Sequence, residues 1–315
     1  MGPLRRRAIA DAGGLRSVDG TVAPAGGRPG KNSVTRVAII GVGLIGGSLG
    51  LALREARPDI EVIGIARSED SAAAAVKRGA VTAAGADLRL ASACDLVVVA
   101  TPLQEMRPVF SRLGRELPKQ TLVTDVGSVK RAVLDWAREL IPDAGRFLGG
   151  HPMAGKSESG LRAAEPRLFQ GAPWVFTPDG DQDLGRFAPL FEIVDAVGAR
   201  RVVIGPDEHD RRVALVSHLA FTLSSAYGAT IKASPEWREA VRIAGPGFRD
   251  MVRLAGGDPD LYTGIARTNR AALLDAVDRL QAALSKYRRH LENDDERIWE
   301  LFEEVKLAHD QWERM

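Results

Sequence analysis

Over the first two thirds of the chain, short apolar runs alternate with helical stretches; after that only helical periodicity remains. Arg36 to Ile40, Glu61 to Ile65, Asp95 to Ala100 and Gln120 to Thr124 are β-branched and apolar without polar alternation, the pattern of strands buried on both faces. Between them the spacing predicts helices from Leu44 to about Arg54, from Ser68 to Arg78 (capped by Ser68 and stopped by Gly79), from Leu103 to Leu113 and from Val129 to Leu140. Arg146 to Gly150 brings the chain back to the same edge. Pro173 to Thr177 and Arg201 to Ile204 bracket a helix near Asp183 to Val197 and extend the sheet. Strands alternating with helices imply parallel pairing and a doubly wound α/β sheet that binds ligands beyond its strands' carboxyl ends. Beyond Gly205-Pro206 the strand signals vanish. Helices are expected from Glu208 to Ile231, Trp237 to Ile243, Phe248 to Ala255, Asp258 to Arg267 and Ala271 onward. The reading is therefore a Rossmann-type domain over 34–205 and an all-helical domain over 206–315. Residues 1–33, rich in Arg, Gly, Pro and Ala, read as a disordered extension.

One stretch carries specific chemistry. Gly41, Gly43 and Gly46 follow the first strand in the spacing G-x-G-x-x-G and open the first helix. Gly41 suits the sharp turn, Gly43 lets a pyrophosphate approach the backbone, and Gly46 allows close packing of helix on strand. Alone in a chain with 33 glycines the spacing is weak, but strand and helix flank it correctly for dinucleotide binding. The expected contacts are Gly41, Gly43, Leu44, Ile45 and Gly46 at the helix N-terminus. At the end of the second strand, where an acid normally binds the ribose 2′-OH, stand Ala66, Arg67 and Ser68, which favours NADP over NAD. Thr101-Pro102, where proline turns the chain out of the sheet, lies at the same edge.

Composition narrows the classes. With 43 basic against 41 acidic residues there is no global field to draw in nucleic acid or membrane. The single cysteine, Cys94, excludes an internal disulfide, fits a cytoplasmic enzyme and reads as a small buried hydrophobe. No uninterrupted apolar run approaches the roughly 20 residues that cross a bilayer.

Three side chains outside the glycine turn suggest catalysis. Ser128 is read as the start of a helix just beyond a strand, an N-cap that can still present its hydroxyl to a substrate. His151, in a Gly-Gly-His-Pro loop after the strand ending at Gly150, titrates in the range a dehydrogenase needs to take a hydroxyl proton. Arg253 follows a Gly-Pro-Gly turn; it either pairs with Asp250 on a helix surface or clamps a carboxylate. Of the five histidines, His209 and His218 fall nine residues apart, about half a turn out of phase on one helix, so they are not expected to share a site. Nothing in the pattern calls for a metal.

Several motifs together resemble one family. GVGLIGGSLGLAL, Ala100 to Pro102, DVGSVK at Asp125 to Lys130, GGHPMAG at Gly149 to Gly155, VSHL at Val216 to Leu219 and GFRDMVRLA at Gly247 to Ala255 are similar to prephenate or arogenate dehydrogenases of tyrosine biosynthesis. The resemblance spans Val34 to the C-terminus. It implies oxidative decarboxylation of prephenate, or of its amino analogue arogenate, with NAD or NADP. By that resemblance His151 takes the C4 hydroxyl proton, Ser128 bonds the hydroxyl, Arg253 holds the ring carboxylate, His218 contacts the side chain and Tyr262 lines the pocket. Two alternatives stay open: a β-hydroxyacid dehydrogenase, for which Lys232 is the nearest candidate lysine, and a non-catalytic NADP sensor. Leu273, Leu274, Val277, Leu280, Leu284, Trp299, Phe302 and Val305 exceed what one helical layer covers, so a two-fold homodimer through the helical part is expected.

Overall fold

The computed structural model describes residues 34–156, 158–293 and 296–314. The expected disordered extension, 1–33, lies outside the described residues.

In chain order the first part runs β1 (Arg36–Ile40), α1 (Leu44–Ala56), β2 (Glu61–Ile65), α2 (Glu69–Lys77), β3 (Ala83–Gly85), β4 (Leu96–Val99), α3 (Leu103–Glu116), β5 (Leu122–Asp125), α4 (Arg131–Leu140), β6 (Phe147–Pro152), β7 (Pro173–Thr177), α5 (Ala188–Ala196) and β8 (Arg200–Val203). The strands form one eight-stranded sheet in the order β3-β2-β1-β4-β5-β6-β7-β8. Its first six positions are the 3-2-1-4-5-6 order of a Rossmann fold. All pairs are parallel except β6 with β7. That antiparallel step departs from the all-parallel expectation. The short β3 is also new: Ala83-Ala84-Gly85 is too brief and too small in its side chains to give an apolar run.

Alternation along β1 splits the core into two layers. Val37 and Ile39 face the layer with Leu49 and Leu53 of α1 and Leu190 and Val194 of α5. Ala38 and Ile40 face Met106, Phe110 and Leu113 of α3 and Val133 and Ala137 of α4. Both faces are covered, which is why the strands read as unbroken apolar runs. Cys94 is buried as expected, and burial pushes its thiol up to about 11, which disfavours the thiolate.

After β8 the described chain is helical: α6 (Pro206–Val213), α7 (Leu219–Ala233), α8 (Trp237–Arg242), α9 (Pro246–Val252), α10 (Pro259–Thr268), α11 (Arg270–Glu292) and α12 (Arg297–Trp312). Ile265 and Tyr262 of α10 pack into the α3/α4 layer and join the helical part to the sheet. Between α6 and α7 the helix continues through a π turn, Ala214–His218. None of the described helices is long and apolar enough to cross a membrane.

Candidate active site

The carboxyl ends of β1, β4, β5 and β6 lie side by side, so Gly41, Thr101, Ser128 and His151 fall along one edge. At Gly41 the chain takes φ +95, and its N–H donates to the Ile65 carbonyl at 2.8 Å. A Cβ there would lie 2.6 Å from the Ala100 carbonyl oxygen, and one on Gly46 would lie 2.0 Å from that of Gly41. Gly43 instead faces open space, with nothing within 4 Å of where a Cβ would sit. No side chain caps α1, and its first turn holds no acid, so the N–H groups at Leu44 and Ile45 remain available to an anion. The Thr101 hydroxyl is buried and unpartnered at the same edge, beside exposed Pro102. This open turn, free helix terminus and orphaned hydroxyl fit a dinucleotide pyrophosphate and its neighbouring ribose.

Past β2, Ala66 is buried while Arg67 is exposed and unpartnered among the described residues. Ser68 caps α2 as predicted, accepting from the Ser71 N–H at 3.3 Å. Glu69, in the first turn of α2, accepts from the Ala86 N–H at 3.0 Å.

His151 is not in a loop. It is the fifth residue of β6, paired with Val175 of β7. The register between β5 and β6 ends at Thr124 and Leu148, and side chains then replace the ladder. Asp125 accepts from the Gly150 N–H at 3.1 Å and from the Gly127 N–H at 2.8 Å. The Lys130 ammonium bonds the Asp125 carboxylate and donates to the Gly150 carbonyl at 2.6 Å. A Cβ on Gly150 would lie 2.6 Å from the Asp125 carbonyl oxygen, so only glycine allows this approach. The fully buried Asp125–Lys130 pair thus fixes the peptide that carries His151.

Ser128 is not an N-cap either. It lies half-buried in a bend three residues before α4. The cap comes from a distant residue: Asp210 of α6 accepts from the Lys130 and Arg131 N–H groups at 2.7 and 3.0 Å. The same carboxylate lies 2.8 Å from His209 Nδ1, and His209 Nε2 lies 2.8 Å from His151 Nδ1. A carboxylate only accepts, so His209 is protonated on Nδ1 and accepts at Nε2. His151 must then donate from Nδ1, which leaves its Nε2 as a free lone pair. Burial, followed by the fields of His209 and Lys130, holds His151 well below the usual imidazole range and therefore neutral. Burial likewise lowers His209.

The expected separation of His209 from His218 is undone at the π turn. One extra residue in that turn rotates the helix beyond it by about 100°, reducing the offset from roughly 180° to about 80°. His218 lies close enough that its charge bears on His151 and that of His209 bears on it. His218 is only 2 % exposed, and its Nε2 is enclosed without a partner. Arg253 follows α9, exposed and free of Asp250. Its field reaches the half-buried Tyr262, whose ring lies 8° from parallel on Phe221. No hydrogen bond joins Arg253 or Tyr262 to the histidines among the described residues.

Asp210, Asp125 and Lys130 escaped the sequence reading, which had also set His209 apart from the site. Only the DVGSVK motif carried a signal for two of them; the others come together through the fold.

Fold and site define the class of nicotinamide-dependent dehydrogenases, here with a buried histidine, His151, at the carboxyl edge of a Rossmann sheet. Residues 49–203 match the nucleotide-binding domain of prephenate dehydrogenase, and residues 205–307 match its dimerization domain. The chain belongs to the prephenate dehydrogenase family. It is 31 % identical over 274 residues to the prephenate dehydrogenase of Bacillus subtilis, covering 86 % of this chain and 74 % of that one. Synechocystis arogenate dehydrogenase superposes with a TM-score of 0.76 at 32 % identity, over 88 % of this chain and 99 % of that one. The prephenate dehydrogenase of A. aeolicus, solved with hydroxyphenyl propionate and NAD+, superposes at 0.83 with 26 % identity, over 90 % and 99 %.

Proposed function

We propose that the protein is a prephenate dehydrogenase, forming 4-hydroxyphenylpyruvate and CO2 from prephenate. The observation that carries this is the Asp210–His209–His151 chain, which ends in a free imidazole nitrogen at the same sheet edge as the glycine turn. A bound nicotinamide supplies the hydride acceptor. His151 Nε2 removes the C4 hydroxyl proton as that carbon is oxidised. It returns the proton to the oxygen once the ring carboxylate has left as CO2 and the ring is aromatic. Ser128 bonds the same hydroxyl, and Arg253 clamps the ring carboxylate with two parallel N–H groups. Aromatisation drives the reaction, so these residues need only bind, orient and move one proton. Arogenate is the second reading, favoured by the similarity to the Synechocystis enzyme. Absorbance at about 340 nm, followed with each substrate and each cofactor, tests both readings; no rise with either substrate overturns them.

The cofactor reading is NADP, on Ala66 in place of an acid and Arg67 without a partner among the described residues. The cytoplasm is the compartment. The boundary between the two functional parts is placed at Gly205-Pro206. Residues 34–315 form one compact unit by contacts, and the two family domains meet near that point. The homodimer reading rests on α11 and α12, where Leu284, Trp299 and Phe302 are 55, 62 and 60 % exposed. Light scattering at micromolar concentration checks it, and a monomeric mass overturns it.

A further inference from the structure

Asn269 occupies the N-cap position of α11, where an asparagine side chain ordinarily accepts from its own helix's N–H groups. Here it does not cap. It is buried, and its amide turns away from α11 toward the histidine cluster. Its Nδ2 donates to the Asp210 carbonyl at 2.8 Å and lies 3.2 Å from His218 Nδ1. A carbonyl only accepts, so the amide orientation is fixed: NH2 faces Asp210, and its second hydrogen faces His218. His218 Nδ1 must then accept, which puts the His218 proton on Nε2.

We propose that Asn269 is a positioning residue of the active site. From the head of α11 it holds Asp210 by its carbonyl, while the Lys130 and Arg131 amides hold the same residue by its carboxylate. It also sets His218 as the neutral Nε2–H tautomer. Clamped at both ends, Asp210 presents one oxygen to His209, and through His209 it keeps His151 Nε2 free. The π turn ending at His218 lies between the two groups that Asn269 grips, so the same amide secures the altered helix phase that brings His209 and His218 together. Burial, opposed by Asp210, lowers His218 to about 4, and burial lowers His151 and His209 as well, so none of the three histidines need be charged at neutral pH.

This inference rests on His151 as the base, and its test separates the two. Nitrogen NMR of histidine-labelled wild-type protein reads tautomers without any turnover. His218 should be protonated on Nε2 and bare on Nδ1 across neutral pH; the reverse overturns the proposal even if His151 is the base. Asn269→Asp places an acceptor against His218 Nδ1 and against the Asp210 carbonyl. It should move the His218 proton to Nδ1 and lower kcat about tenfold, the size of one net hydrogen bond, with KM for the nicotinamide cofactor unchanged. A wild-type tautomer retained in folded Asn269→Asp, or an unchanged kcat, overturns the role. Should that variant fail to fold, the wild-type tautomer alone decides.

Discussion

His209 is the residue whose replacement tests the site most directly. It is fully buried, 5.1 Å from His151 between ring centres, and it accepts the His151 Nδ1–H. His209→Phe keeps an aromatic ring of similar size but removes the acceptor. Asp210 keeps its bonds from the Lys130 and Arg131 amides, so no carboxylate is orphaned. His151 is left with a buried, unsatisfied Nδ1–H, which costs about 1–3 kcal/mol. The neutral ring escapes by moving the proton to Nε2, the nitrogen that must be bare to act as base. A bias of that size leaves roughly one part in 5 to one part in 150 in the competent tautomer, and kcat should fall by the same factor. His151→Asn, which deletes the base, sets the floor at about 10²- to 10⁴-fold. Steady-state turnover at saturating cofactor reads the loss, and a binding titration should show cofactor affinity unchanged. A folded His209→Phe enzyme with kcat within about twofold of wild type would refute the relay.

Arg253→Gln should raise KM for the substrate and leave cofactor binding intact; an equal loss of cofactor affinity in a titration would remove its carboxylate role. Arg67→Ala should cut NADP affinity by about ten- to a hundredfold with little effect on NAD, as expected for one charge-assisted phosphate contact. Wild-type turnover that is better with NAD would overturn the NADP reading. Stability should depend on pH through the buried histidines. His218 titrates near 4 folded and near 6.5 unfolded, so between those values only the unfolded chain binds the proton. The stabilisation is therefore complete above about pH 6.5 and falls as pH drops, by up to about 3 kcal/mol from His218. Urea midpoints that stay flat from about pH 7 to 5 would contradict the neutral, buried assignment.

The sequence alone determined what local pattern and steric necessity dictate. The buried strands announce themselves because both faces of the sheet are covered, and the glycine turn because Gly41 and Gly46 have backbone where a Cβ would go. It located the strand-to-helix turns of the edge, and hence the neighbourhood of Thr101, Ser128 and His151, but misjudged the local state of two of them. Ser128 was expected to cap α4, but the cap is supplied by Asp210, some 80 residues later. His151 was expected in a loop, but Asp125 and Lys130 extend its strand with side-chain bonds in place of the ladder. The tertiary structure also decided which histidines meet. Helical phase computed from spacing assumes an unbroken α-helix, and the π turn before α7 changes that phase by one residue. Asn269 shows the same limit: its position at the head of a helix says cap, and only the packing of α11 against α6 reveals that its amide serves Asp210 and His218 instead. Hydrogen-bond direction passes from group to group through space, so a tautomer three residues removed from its cause in the network has no signature in the chain that encodes it.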